Sequence, residues 1–470
     1  VDVDRVNNMR KLSKPVVYIS IVLLAGVLSS TFGMSAAQTT SLVVFSGIIA
    51  GVLFYWRMRL AFALAGLSIL LATGVMDLLH FIEFASLDII VFLVGMMIVI
   101  GFLEERRFFE ALLERIMTFA KGSAIKTISL LMLMAALSAA LVDEVTSILF
   151  MMTTAIHLVA RLNLSIVPLM MMLVFATNIG SSATVVGNPV GVMIAMKAKL
   201  TFADFIRWAT PIAIVGLGLC MFLSFTYFKG YIKGMNDAMV NSGRQTTEVQ
   251  KNTKTKFDII SVLLFVGTLV GLVMHSQIES YLRLEKNTML IGVAVISAAI
   301  ALLCMRDKAR DLVERRVDWW TLMFFLIFFS SVGTLKYTGV TTQISKVLLE
   351  LTGGDQLSTL FLFGLVVGLL SALMDNVLAV ATFIPIVADI GSAGLNVFPI
   401  WWGMLFGATW MGNLTMIGST ANIVAVGMVE RQKLGHVSFR EWIVPGAIVS
   451  LATFPVALLL LYIQLPFMPS

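Results

Sequence analysis

Apolar runs long enough to cross a lipid bilayer recur along the whole sequence, and they leave few folds open to it. A transmembrane helix needs roughly 20 mostly apolar residues, and runs of about that length fall at 15–33, 41–56, 60–79, 86–103, 209–228, 258–275, 288–304, 317–334 and 442–463. The chain is 59% hydrophobic and only 13% charged, where soluble domains carry about a quarter charged residues, so lipid must be the solvent for many of these side chains. A formal net charge of +6 would point to nucleic acid in a soluble protein. Here the basic residues fall between apolar runs, where they set orientation, and no nucleic-acid partner is expected. Cys220 and Cys304 both lie in expected spans and imply no disulfide framework. The basic stretch from Arg10 to Lys14 leads straight into a run long enough to cross, so the N-terminus reads as lacking a cleavable signal peptide.

Between the full runs lie shorter, interrupted ones. Runs 124–142 and 146–160 are broken at Asp143-Glu144, and runs 165–177 and 189–198 are split by Asn178 to Asn188. Later, 357–374 and 377–390 are broken at Asp375-Asn376, and 397–411 and 421–429 are split by Gly412 to Thr420. Amphipathic stretches at 104–121 and 336–351, expected to lie along the membrane faces, precede the two broken pairs. The residues at the breaks agree in order. Leu141 to Val145 corresponds to Leu373 to Val377, Thr177 to Gly180 to Thr409 to Gly412, Thr184 to Gly187 to Thr415 to Gly418, and Thr201 to Phe205 to Ser438 to Trp442. Four matches at nearly constant spacing mark an internal repeat. The expected plan is an N-terminal segment with the first span at 1–40, a first repeat at 41–228, a polar linker at 229–257 and a second repeat at 258–470.

The fold class expected is an all-α polytopic membrane protein with about 11 transmembrane helices. Its two repeats are inverted, each with a re-entrant hairpin and a discontinuous helix. The hairpin arms, about 14 to 18 residues each, read as short for crossing. With the N-terminus and the linker in the cytoplasm, most of the 33 Lys and Arg fall on the cytoplasmic side. The location expected is the cell (inner) membrane.

A break in a membrane helix exposes backbone groups that lipid cannot satisfy, so it persists only inside protein or beside a water-filled cavity. Four breaks at repeat-related positions should therefore converge, each offering helix ends whose dipoles favour ions. The candidate ion-binding residues sit at these breaks: Asp143, Glu144 and Thr146; Asn178, Ser181, Ser182, Thr184 and Asn188; Asp375 and Asn376; Thr409, Asn413, Thr415, Ser419, Thr420 and Asn422. They supply carboxylate, amide and hydroxyl oxygens, the ligands that hard cations prefer. Asp143, Asn188, Asp375 and Asn422 are the expected sodium ligands. The alternative role for Asp143 and Asp375 is to cap the helix that follows each, and the alternative role for the hydroxyls is to join helices. No Lys or Arg stands in these motifs, which argues against a multiply charged organic anion as sole substrate unless a cation or helix N-termini compensate. His157 reads as a packing or interfacial side chain. With four histidines and two cysteines and no catalytic arrangement, neither an enzyme nor a resident cofactor is expected.

Two stretches carry a family resemblance. One is Asp143-Glu144-Val145-Thr146 with Ala176 to Gly180 and Ala183 to Pro189; the other is Met374 to Val377 with Gly412 to Asn422. They resemble the ion transporter superfamily, in the group that joins ArsB-type arsenite pumps, NhaD-type sodium/proton antiporters and the melanosomal P protein. The resemblance covers essentially 41–465. It implies a scaffold and a transport domain, a homodimer, and elevator-like alternating access. The family motif has Asp-Asn at both hairpin tips, and Asp143-Glu144 departs from it by one added acid.

The function expected is secondary active, proton- or sodium-coupled antiport of a small inorganic ion, with sodium/proton exchange as the leading reading. The alternatives are proton-coupled efflux of arsenite or another neutral oxyacid, and a passive anion channel, which the acids oppose. The partners expected are the ion and membrane lipid.

Overall fold

The computed structural model describes residues 2–117, 123–243 and 258–469, and among them every regular element is a helix. The last part of the first amphipathic stretch, 118–121, and residues 244–257 of the expected linker lie outside the described residues.

The chain begins with α1 (Asp2–Thr31), whose span is Lys14–Thr31, and α2 (Ala36–Phe54). Ser35 and Gln38 close a reciprocal cap at the start of α2. The expected span 60–79 is instead α3 (Arg59–Ala72) followed by α4 (Leu78–Phe84). Two local signals divide it. Gly74, at φ +69°, provides the left-handed residue that ends α3, and Asp77 caps α4 by accepting from the His80 amide at 2.8 Å. There follow α5 (Leu87–Glu105), α6 (Phe108–Met117), and the hairpin α7 (Ala124–Leu141) and α8 (Glu144–Leu162). The first broken helix is α9 (Val167–Gly180) and α10 (Pro189–Ala198). α11 (Phe202–Asp204) runs through a π-helical turn into α12 (Thr210–Tyr227), making one span of 26 residues. The expected linker starts as a helix, α13 (Lys229–Gly243). Asn236 of α13 accepts from the Ala124 amide at the start of α7, and the Tyr231 hydroxyl donates to the Ser165 carbonyl beyond α8 at 2.8 Å.

The second half comprises α14 (Ile259–Leu282), α15 (Thr288–Met305), α16 (Ala309–Arg316), α17 (Trp319–Tyr337) and α18 (Val340–Thr352). The second hairpin is α19 (Gln356–Leu373) and α20 (Asn376–Ser392), the second broken helix α21 (Phe398–Met411) and α22 (Thr420–Arg431), and the last span α23 (Phe439–Gln464).

Among the described residues eleven helices are long and apolar enough to cross a bilayer. The number is the one expected, but its membership differs. It includes both arms of the first hairpin and the first arm of the second, at 18 or 19 residues, and omits α3 and all four half-helices. The second arm of each hairpin, α8 and α20, is longer than the sequence led us to expect, because helix starts at the residue directly after each tip aspartate.

The chain divides into two compact units, and each draws on both halves of the sequence. One comprises 1–90, 318–356 and 381–397. In it Phe45 and Phe328 pack at 5.9 Å between ring centres, the Arg59 guanidinium donates to the Thr321 hydroxyl at 2.7 Å, and Asp389 accepts from Thr341 and Thr342. The other comprises 91–317, 357–380 and 398–470, and it contains all the candidate site residues.

Inside that second unit the first arm of each hairpin lies close against the first half of a broken helix. A β-carbon on Gly180 of α9 would run into the backbone of Ala136 on α7, and one on Gly407 of α21 into the backbone carbonyl of Gly364 on α19. Small residues allow such approaches where apolar lipid gives helices little reason to associate.

Candidate functional site

Each break is built by a polar side chain that replaces lost helical bonds. Asp143 stands in extended backbone and its Oδ1 accepts from the amides of Val145 at 2.7 Å and Thr146 at 3.1 Å. Asp375 does the same for the Val377 amide at 3.0 Å. Asn188 caps α10 by accepting from the Gly191 amide at 2.7 Å, with Pro189 in the first turn. Ser419 caps α22 through the Ala421 amide at 3.1 Å. The four helices that start at the breaks therefore each open on a side-chain cap, and the capping role weighed for both aspartates is present.

These N-termini meet through neighbouring sets of hydrogen bonds, two of which Ser181 links by donating to the Asn178 carbonyl at 3.1 Å. The two hairpin tips touch: Asn376 Nδ2 donates to the Glu144 carboxylate at 3.2 and 3.3 Å. Glu144 is 1% exposed. It also accepts from the Ser181 hydroxyl at 3.3 Å, and Asn188 Nδ2 donates to Ser181 at 2.8 Å. On the other side Asp375 accepts from the Thr420 hydroxyl. Asn178, in the last turn of α9, donates to Asn413 Oδ1 at 2.7 Å and Asn422 Oδ1 at 2.8 Å, while its Oδ1 accepts from Ser419 at 2.9 Å. Asn422 Nδ2 donates to the carbonyls of Gly412 and Thr415, two groups that the break takes out of the helix. Glu144, Asn178, Ser181, Asn188, Asp375, Asn376, Asn413, Ser419, Thr420 and Asn422 are thus brought together. Asn376 Oδ1 is fully buried and has no hydrogen-bond partner.

The other candidates point elsewhere. Thr184 and Thr415 donate to the carbonyls of Ala140 and Ala372, tying each break to the hairpin arm beside it. Thr409 donates back to Leu405, and Ser182 donates to the Ile179 carbonyl and accepts from the Trp410 indole at 2.9 Å. Thr146 faces Asp143 on its own turn. The four expected sodium ligands are all engaged: Asp143 in capping, Asn188 and Asn422 in amide bonds, and Asp375 with Val377 and Thr420.

Several supports escaped the sequence reading. The Trp442 indole donates to the Asn413 carbonyl at 3.0 Å, Ser371 to the carbonyls of Ala408 and Gly418, and Thr210 to that of Ala183. Thr177 Oγ1 is buried without a partner. The signal available for Trp410 and Trp442 was an indole donor that a buried position must satisfy. Removing the Thr184 hydroxyl leaves the Ala140 carbonyl short of a donor, a loss of about 1–2 kcal/mol. Thr184→Val and Thr415→Val should each lower the thermal unfolding midpoint in detergent by a similar amount, while Thr153→Val, on an exposed side chain bonded within its own helix, should not.

Comparison with known proteins places this geometry. The family model described as "Citrate transporter" matches residues 49–407 and again 331–468. An uncharacterized transporter of Mycobacterium tuberculosis is 32% identical over 383 residues, 80% of this chain and 86% of that one. The P protein of Homo sapiens is 25% identical over 483 residues, 86% of this chain and 57% of that one, which meets the resemblance found at the breaks. The YdaH transporter of Alcanivorax borkumensis, whose crystal structure is described as having an unusual topology, shares the fold. Its TM-score is 0.57 at 13% identity, over 83% of this chain and 87% of that one. With its eleven apolar helices, this chain is an integral membrane transporter and belongs to the citrate transporter family.

Proposed function

We propose that the chain is a secondary active transporter that exchanges a small cation, sodium in the leading reading, for a proton by alternating access. One observation carries this. Glu144 is a buried carboxylate whose hydrogen-bond partners, Asn376 and Ser181, are neutral. Keeping a bare charge there costs several kcal/mol, so the group calls for a proton or a cation. Two ligands competing for one carboxylate are the minimum that exchange requires. The carboxylate and the open Asn376 Oδ1 are oxygen ligands of the kind sodium takes. Asp143 and Asp375 flank them and add negative field. The rest of the mechanism is our reading of the repeat: inverted halves at 41–228 and 258–470, hairpins that re-enter without crossing, a transport domain that moves elevator-like against a scaffold, and a homodimer. N-terminus and linker are placed in the cytoplasm of a cell whose inner membrane holds the protein.

A second reading has its own support. The N-termini of α8, α10, α20 and α22 gather through the bonds of Glu144, Asn188 and Asp375 to Asn376, Ser181 and Thr420, and helix N-termini favour anions. The family description raises citrate as the anion. Three acids without Lys or Arg in the motifs would repel a tricarboxylate, so it would have to enter with a cation.

Purified protein in sealed vesicles separates the two. A sodium gradient should drive a pH change inside, in either direction, without citrate. Absence of that change in every gradient removes the exchange reading, and labelled citrate accumulation dependent on a cation would put the second in its place.

A further inference from the structure

Where α14 turns into α15, two side chains exchange roles. Asn287, in left-handed backbone at φ +67°, is the N-cap of α15, a place where asparagine ordinarily accepts from an amide of the first turn. Its side chain makes no such bond. The carboxylate of Glu279, near the end of α14, makes it instead: Oε1 accepts from the Met289 amide at 2.8 Å. Both residues are buried. Asn287 is thereby free to reach another helix, and its Nδ2 donates to the Ala195 carbonyl of α10 at 3.0 Å. A carbonyl only accepts, so it is the amide nitrogen that faces Ala195. Asn287 Oδ1 is left buried without a hydrogen-bond partner.

α10 does not need this bond in order to end. The Ala195 carbonyl already accepts from the amides of Lys199 and Leu200, the latter at 2.9 Å. The tie to Asn287 leaves an N-cap bond unmade and a buried oxygen unsatisfied, which costs free energy, so it is not a by-product of how the two helices end.

What it holds is a short strut. α10 has 10 residues, a length of about 15 Å at the usual helical rise. At its other end Asn188 accepts from the Gly191 amide at 2.7 Å and donates to Ser181 at 2.8 Å, and Ser181 donates to Glu144 at 3.3 Å. A β-carbon on Gly191 would lie 2.8 Å from the Val185 carbonyl oxygen and 3.1 Å from that of Thr184, so this end rests directly on the backbone of the break. A tilt of α10 would therefore move Asn188 against Ser181. Hydrogen bonds and one rigid helix join Asn287 to the buried carboxylate without a gap.

We propose that Asn287 is a positioning residue of the transport site: by fixing the far end of α10 it keeps Asn188 and Ser181 in line with Glu144. The proposal rests on the cation-exchange reading above. Asn287→Gly removes the donor and keeps the turn, because glycine suits left-handed backbone best and is a fair N-cap. Its unfolding midpoint in detergent should stay near that of the wild type. Sodium-driven pH change in sealed vesicles gives KM and maximal rate. The KM for sodium should rise about 3- to 10-fold, the weight of one lost hydrogen bond, with the maximal rate kept. Asn287→Asp should raise KM at least as much. Aspartate caps as well as asparagine does, but it sets an oxygen where the Ala195 carbonyl meets a donor. A residue that served only the turn would leave Asn287→Asp like the wild type. Ser181→Ala cuts the route to Glu144, so on that background Asn287→Gly should change KM by less than about 2-fold, where independent sites would multiply in full. A wild-type KM in Asn287→Gly, an Asn287→Asp protein that matches the wild type, or full multiplication with Ser181→Ala overturns the positioning role while exchange stands. A wild type without sodium-dependent flux overturns both.

Discussion

Glu144→Gln should abolish sodium-driven proton movement and leave the fold intact. The glutamine side chain keeps the length and one carbonyl oxygen, so it can still accept from Asn376 Nδ2 or the Ser181 hydroxyl. What it loses is the carboxylate that bonds across the two hairpin tips. Without the carboxylate, proton and cation have no shared group to compete for, so coupled flux should fall at least about 100-fold, about 2.8 kcal/mol at 1.4 kcal/mol per tenfold. Stability should move the other way, because a neutral group in a buried place needs no compensation; the unfolding midpoint in detergent should hold or rise. Glu144→Asp keeps the charge on a shorter stem and should retain coupled but slower exchange. The pattern matters more than any single rate. Loss of flux together with a lowered midpoint would mean that Glu144 is a structural brace. Wild-type exchange in Glu144→Gln would remove this residue from the mechanism altogether.

Glu144 also shows how far the sequence could be read. The repeat pairs it with Asn376, one position after each tip aspartate, and the departure from Asp-Asn was visible as a single added acid. That the two would bond to each other across the hairpin tips was not visible, because equivalence within a repeat says nothing about contact. The breaks themselves were legible for a physical reason: clusters of Asn, Ser, Thr and Gly inside apolar runs have no use in lipid-facing helix. Their chemistry was only partly so. A hydroxyl at a break reads the same whether it faces an ion or a carbonyl, and Thr184 and Thr415 turn to carbonyls. The second arms were drawn too short: the capping role weighed for the tip aspartates places the helix start directly after them, at Glu144 and Asn376. The run 60–79 was apolar enough to pass for one span, but Gly74 and Asp77, two ordinary punctuation residues, divide it.

The network can hold its shape only if the breaks are pinned, and one tight pin between helices is at Gly180. A β-carbon there would overlap the Cα, carbonyl carbon and carbonyl oxygen of Ala136. None of these atoms can rotate away, so α7 and α9 would have to separate. That separation would pull on the Thr184–Ala140 bond and on Asn178, two residues before Gly180, which holds Asn413, Asn422 and Ser419. Gly180→Ala should therefore cost about 3 kcal/mol, the upper part of the range for overpacked cores, and should reduce exchange by more than the loss of folded protein explains. Intrinsic helix propensity argues the opposite, since alanine is favoured over glycine by about 1 kcal/mol in a helix. Gly218 of α12 separates the two influences. It is exposed, and a β-carbon on it would meet nothing within 4 Å. Gly218→Ala should be neutral or slightly stabilising, by about 0.5–1 kcal/mol, with exchange unchanged. Gly368→Ala should fall between them: its β-carbon would press on the Met411 side chain at 2.8 Å, which can move, and on the Gly407 carbonyl at 3.2 Å, which cannot. Unfolding midpoints in detergent, read beside flux in vesicles, test the order. A Gly180→Ala protein as stable as Gly218→Ala would show that the approach of α7 to α9 has slack, and a site built on that contact would lose its footing.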